Sequence, residues 1–219
     1  MATVLGSVAV ISGRPATVVV DYGRFGDEPA LSDLVVFGHY GVQRWEARTG
    51  ELHSPPPPPA LQAVRRELPA LLERVGVTDA WIEDKASAVA VHTRRSADPA
   101  VALATLTPAV TDCAQRHGLA VEPGRFVLEI RAPGVDKGAT LLGYARERAA
   151  RSVCYIGDDL GDLPAFDAVD TLRGNGVPGL TVASGSSEVT AVAGRADLVV
   201  DGPPGVVALL TALHAALAS

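Results

Sequence analysis

The chain has 219 residues, 47% hydrophobic and 20% charged, enough to bury a sizeable core in one large domain or two small ones. Nineteen basic against twenty-five acidic residues give a net charge of -6 with no face-forming run of Lys or Arg, which argues against nucleic acid and anionic membrane as partners. No apolar run reaches the ~18 residues of a membrane span, and Met1 to Arg14 lacks the basic leader of a signal peptide, so a cytoplasmic protein is expected.

SVAVISGR, Ser7 to Arg14, is a short apolar run ending in Ser-Gly, as a buried strand entering a loop is. LVVFGHYGVQRW, Leu34 to Trp45, reads as a strand leading into a glycine-rich turn. The five prolines of SPPPPPALQAVRRELPALLERVG stiffen the approach to a helix in which Leu61, Val64, Leu68, Leu71, Leu72 and Val75 keep a helical period. Pro69 is expected to kink or split that helix. A proline run also serves as a docking ligand for partner domains, but a stiff linker into the helix is preferred. WIEDKASAVAVHTRR, Trp81 to Arg95, alternates over its second half like a half-exposed strand, and a helix over Asp98 to His117 and a strand in GRFVLEIRA follow. Strand, helix and strand without a long apolar run suggest a small mixed αβ module between two parts of one parallel sheet. After Pro133 come a helix in GVDKGATLLGYARERAA, a strand and acidic loop in SVCYIGDDLGD, strands in GLTVAS and ADLVV, and a final helix from Gly205 to Leu217. Cys113 and Cys154 have no metal or redox spacing and are expected as small buried apolar residues.

Three segments carry chemistry. In YIGDDLGD, Asp158, Asp159 and Asp162 crowd the loop after a buried strand, where open α/β sheets place their ligands. Such carboxylates repel one another unless a hard cation neutralises them, and oxygen ligands in small number suit Mg2+. An acidic helix cap explains one aspartate but poorly explains three. Lys137 of the Asp136-Lys137-Gly138 segment is badly placed for the dipole at a helix start, so an anionic partner accounts for it. The Ser12 hydroxyl and the free amides of Gly13 and Arg14 at a strand end can hold phosphate oxygens, although Ser12 taken alone is an ordinary turn residue.

In their order along the chain, VAVISGRP, FGHYGVQRW, WIEDKASAVAVHTRR, GRFVLEIRAPGVDKGATL and YIGDDLGDLPAFDAV resemble the trehalose-6-phosphate phosphatases of the haloacid dehalogenase superfamily, in their actinobacterial style. The resemblance implies a Rossmann-like α/β parallel-sheet core over residues 1–45 and 134–219, with an αβ cap inserted over 46–133. It further implies that Ser12 holds the phosphoryl group with Gly13 and Arg14, and that Lys137 steadies the charge of nucleophile and phosphate. Asp158, Asp159 and Asp162 then bind Mg2+, and Glu83, Lys85 and Glu129 of the cap face the sugar of a small phosphosugar substrate. Gly161 and Leu163 stand where many members carry Thr and Glu, so a hydroxyl and a carboxylate behind the metal site are lost.

The family's nucleophile lies in a D-x-D-G-T segment whose first Asp attacks phosphorus and whose second moves the proton. In VVVDYGRFGDE, Asp21 is followed by Tyr22 and Gly23 with no carboxylate two residues on, and it comes after Ser12 rather than before it, so it is expected to be structural. Only six residues precede Ser7, whereas a strand and helix unit needs roughly 30. The expectation is therefore a chain that begins one strand and one helix late and has a gap in its core sheet. It is a truncated phosphatase, a silent sugar-phosphate-binding remnant, or a phosphatase for another phosphosugar. The oligomeric state is not legible.

Overall fold

The computed structural model describes residues 5–85, 87–185 and 190–217. The chain divides into two compact units, one running through Ser54 and resuming at Asp136, the other spanning Pro55–Val135.

Strand β1 (Ala9–Ile11) leads into helix α1 (Ala16–Gly23), and β2 (Val35–Gly38) then pairs parallel with β1, Ala9 opposite Val35 and Ile11 opposite Phe37. A turn at His39–Gly41 reverses the chain into β3 (Gln43–Glu46), antiparallel to β2, and β4 (Leu52–His53) pairs with β3. Because β4 closes this sheet, the first unit reaches Ser54 rather than ending after residue 45. All four residues of β2 are buried between neighbours, whereas β1, paired on one side only among the described residues, is half-buried along its length.

In the second unit α2 (Pro59–Val75) is one continuous helix with Pro69 inside it. The expected split does not occur: Pro69 lies on the exposed face, while burial of Leu61, Val64, Leu68, Leu71 and Leu72 outweighs the lost backbone bond. Strands β5 (Trp81–Asp84) and β6 (Ala88–His92), helix α3 (Pro99–Arg116), then β7 (Ala120–Gly124) and β8 (Val127–Arg131) complete the unit. Asp98 caps α3, accepting from the backbone N–H groups of Ala100 and Val101 at 3.2 and 3.1 Å. The antiparallel sheet has the order β5-β6-β8-β7, so β6 is an inner strand, and Ala88 to Val91 are buried rather than half-exposed. Val89 and Val91 join Leu128 and Ile130 in the core with α2 and α3. Ala90, on the opposite face, is flanked in register by Glu83 and Glu129 and is too short to reach solvent between them.

The first unit resumes with α4 (Lys137–Glu147), β9 (Val153–Gly157), α5 (Leu163–Gly174), β10 (Gly179–Gly185), α6 (Thr190–Ala193), β11 (Leu198–Asp201) and α7 (Gly202–Leu217). These strands form a parallel sheet in the order β11-β10-β9. Among the described residues no strand pairs with the outer edges of β1 and β9, so the first unit shows the gap expected in its core sheet. Cys154 lies on the edge strand β9 and is exposed, correcting the expectation of two buried cysteines, whereas Cys113 is buried. No described helix is long and apolar enough to cross a membrane.

Candidate functional site: a lysine held by a buried aspartate

Asp162 is 2% exposed and its carboxylate accepts four hydrogen bonds. Lys137 Nζ and Tyr155 Oη donate to Oδ1, each at 2.7 Å, and the backbone N–H groups of Asp158 and Asp159 donate to Oδ2 at 3.0 and 3.1 Å. Two glycines permit this closure. A Cβ at Gly138 would stand 2.2 Å from the Pro164 carbonyl oxygen, so glycine lets the first turn of α4 lie against α5 and brings Lys137 to Asp162. A Cβ at Gly157 would stand 2.5 Å from that of Asp162. The acidic cap weighed at the sequence level is also present, since Asp159 and Asp162 cap the short turn Leu160–Asp162 reciprocally.

The charges set one another. Burial opposes ionisation of Asp162, but the Lys137 ammonium, the Tyr155 hydroxyl and the Asp158 amide outweigh it and hold the carboxyl below its ordinary range. Burial likewise opposes the charge on Lys137, and Asp162 and Asp159 reverse that, raising the ammonium pKa. Tyr155 is pushed far up by burial and by Asp162, so it remains a donor. Asp159 is pushed up by desolvation; Lys137, 3.5 Å away, works against this, and the Asp162 and Asp158 charges tip the balance. Ligand oxygens of Asp158, Asp159 and Asp162 lie within 4.8 Å of one another, and three carboxylates beside one ammonium leave excess negative charge. An oxygen-only cluster of that charge fits a hard divalent cation. The oxygens of Asp162 are already engaged, while Asp158 and Asp159 are exposed to solvent.

Ser12 follows β1 as Asp158 follows β9, both at C-terminal strand ends. Its Oγ accepts from the Arg14 N–H at 3.1 Å, Gly13 is half-buried beneath Tyr40, and the Arg14 side chain is exposed. Tyr40, unmarked at the sequence level, joins this loop to the lysine helix: its N–H donates to the Ser12 carbonyl at 2.9 Å, and its own carbonyl accepts from Thr140 Oγ1 at 2.6 Å. His39 and Tyr40 both have left-handed backbone, at φ 48° and 60°, a strain that the FGHYG glycines hint at but do not locate.

In the second unit Lys85 Nζ donates to Glu129 at 2.7 Å and lies 3.9 Å from Glu83, so the three residues expected to face a sugar form one cluster. His92, which sequence reasoning passed over, joins it through Nε2 to Glu83 at 2.8 Å and stacks on Trp81. Its signal lay in the strand period, which sets Trp81 opposite His92 and Glu83 opposite Ala90.

The trehalose-phosphatase family profile matches residues 4–203. Trehalose-6-phosphate phosphatase of Escherichia coli (strain K12) is 30% identical over 178 residues, which is 78% of this chain and 62% of the relative's own length. A solved structure of Aspergillus fumigatus trehalose-6-phosphate phosphatase superposes with a TM-score of 0.71 at 22% identity, over 96% of this chain and 78% of that one. A haloacid dehalogenase-like hydrolase from Bacteroides thetaiotaomicron superposes with a TM-score of 0.58 at 17% identity, over 88% and 80%. The structural likenesses establish the fold, that of the haloacid dehalogenase-like hydrolases.

Proposed function

The chain belongs to the trehalose-phosphatase family, and from that premise we propose that it binds trehalose 6-phosphate with Mg2+ and serves its hydrolysis to trehalose and phosphate. The observation that carries this is the Lys137–Asp162 pair, a buried ammonium aimed beside two exposed carboxylates at a strand end. Lys137 presents fixed positive charge where negative charge gathers on phosphoryl oxygens. The Ser12 hydroxyl and the amides of Gly13 and Arg14 orient that group, and Glu83, Lys85 and Glu129 are assigned to sugar hydroxyls. Asp158 and Asp159 hold the cation, while Asp162 spends its lone pairs ordering the loop rather than ligating. Mg2+, when bound, neutralises the phosphoryl oxygens. A phosphosugar carries charge that keeps it from crossing a bilayer, so a cytoplasmic location goes with this substrate.

The 219 residues contain no D-x-D-G-T, and Asp21 sits exposed on α1. That observation favours a second function for this polypeptide, binding the phosphosugar without turning it over. Calorimetry with Mg2+ separates the parts of the proposal. Lys137→Ala should weaken both trehalose 6-phosphate and inorganic phosphate, whereas Glu129→Ala should weaken trehalose 6-phosphate about ten-fold, about 1.4 kcal/mol, and leave phosphate unchanged. Glucose 6-phosphate binding as tightly as trehalose 6-phosphate would reassign the substrate, and no effect of Lys137→Ala on either ligand would sink the phosphate site.

A further inference from the structure

We propose that Glu67, Cys113 and His117, on the two helices of the second unit, form a binding site for a thiophilic divalent cation of the zinc class. Cys113 and His117 are four residues apart at the C-terminal end of α3 and so share a face, and that face meets Glu67 of α2. One ligand atom from each lies within 4.8 Å of the others: His117 Nε2 is 2.7 Å from Glu67 Oε1, and Cys113 Sγ is 3.6 Å from Oε2. The spacing of the two cysteines had suggested no metal site, because the third ligand comes from a helix forty-six residues away from Cys113 in sequence.

The donor set decides the class of ion. Thiolate, imidazole and carboxylate together select a borderline-soft metal, whereas Mg2+ takes oxygen ligands alone. Three protein ligands leave a fourth tetrahedral position for water, and His117 and Glu67 open towards solvent while Cys113 is wholly buried. One thiolate and one carboxylate balance a divalent charge, so the bound site is neutral. The carbonyl end of α3 adds a favourable dipole. On binding, the Cys113 thiol releases its proton to solvent, and the His117 Nε2 proton, which Glu67 accepts, moves to Nδ1 so that Nε2 offers its lone pair to the ion. Arg116, which also touches Glu67 at 3.1 Å, keeps Asp112 at 2.9 Å and is not stranded when Glu67 turns to the metal.

The test is titration of the reduced full chain with Co2+, read as thiolate-to-cobalt charge-transfer absorbance, followed by displacement with Zn2+. One equivalent of Co2+ should produce the band, Zn2+ should erase it, and Cys154→Ser and Asp158→Asn should leave it intact. Cys113→Ser should abolish it. Because Cys113 is buried and its replacement risks the fold, His117→Gln at a more open position provides a second readout, with affinity expected to fall about ten-fold or more. Absence of the band, its survival in Cys113→Ser, or an affinity within a factor of about two in His117→Gln would each show that the cluster is only a polar tie between helices.

Discussion

Asp162 shows how one buried side chain can hold an acidic loop together. Its side chain is 3% exposed and that of Lys137 is 10% exposed, so each charge depends on the other and on the surrounding donors for its solvation. Asp162→Asn should destabilise the full chain by about 3 kcal/mol in urea unfolding, because Lys137 is left charged and buried with, among the described residues, Asp159 at 3.5 Å as its remaining carboxylate. Asp162 is held below the ordinary carboxylate range, so its contribution is complete above that range and lost as pH falls through the lowered folded value. Lys137 is raised, so its contribution is complete below the ordinary lysine value and lost as pH rises through the folded one. The gap between wild type and Asp162→Asn should therefore stay level through neutral pH and close in acid; a gap that persists unchanged into acid would contradict the pairing. The sequence put all three aspartates in one loop region, but only the structure shows which oxygens the amides and Tyr155 occupy.

At the scale of elements, polar ties fix where strands end. Asp197, just before β11, accepts from the Thr181 N–H at 2.7 Å and Oγ1 at 2.8 Å in β10, and pairs with Arg173 of α5. The Thr181 amide first, and then the Arg173 guanidinium, lower its carboxyl to about 2. Its stabilisation is thus present above the usual carboxylate range and lost between there and about pH 2. Asp197→Ala should lower the thermal midpoint at neutral pH, and scans at successively lower pH should show the difference fading over that window. A constant difference would mean that the residue acts through packing. Strand β6 and helix α2 illustrate the limits of local patterns. Alternation marks which residues share a face, but not that β5 and β8 enclose the strand on both sides. Propensity marks Pro69 as a breaker, but not the apolar face that holds the helix through it.

Across the whole molecule burial is uneven. The second unit has one continuous core, whereas in the first unit β2 is fully buried, β1 only half so, and no residue of the apolar helix α7 is buried. The shortfall accompanies the outer edges of β1 and β9, which no described strand pairs. The 219-residue polypeptide, without a D-x-D-G-T nucleophile, should hydrolyse trehalose 6-phosphate negligibly even with Mg2+, since fixed cations polarise the ester but form no covalent intermediate. Phosphate release that disappears in Asp21→Ala would overturn the structural assignment of that exposed helix residue.

The sequence by itself determined the α/β alternation, the inserted module, the family and the residue types at the phosphate end, because these follow from apolar periodicity and from local motifs such as Lys137-Gly138 and Gly157-Asp158-Asp159. Only the tertiary structure decided that Tyr40 ties the Ser12 loop to α4, that Asp162 is saturated, and that Glu67 meets Cys113 and His117. Each of these depends on groups far apart in sequence meeting at hydrogen-bond range, and local pattern does not encode such long-range distances.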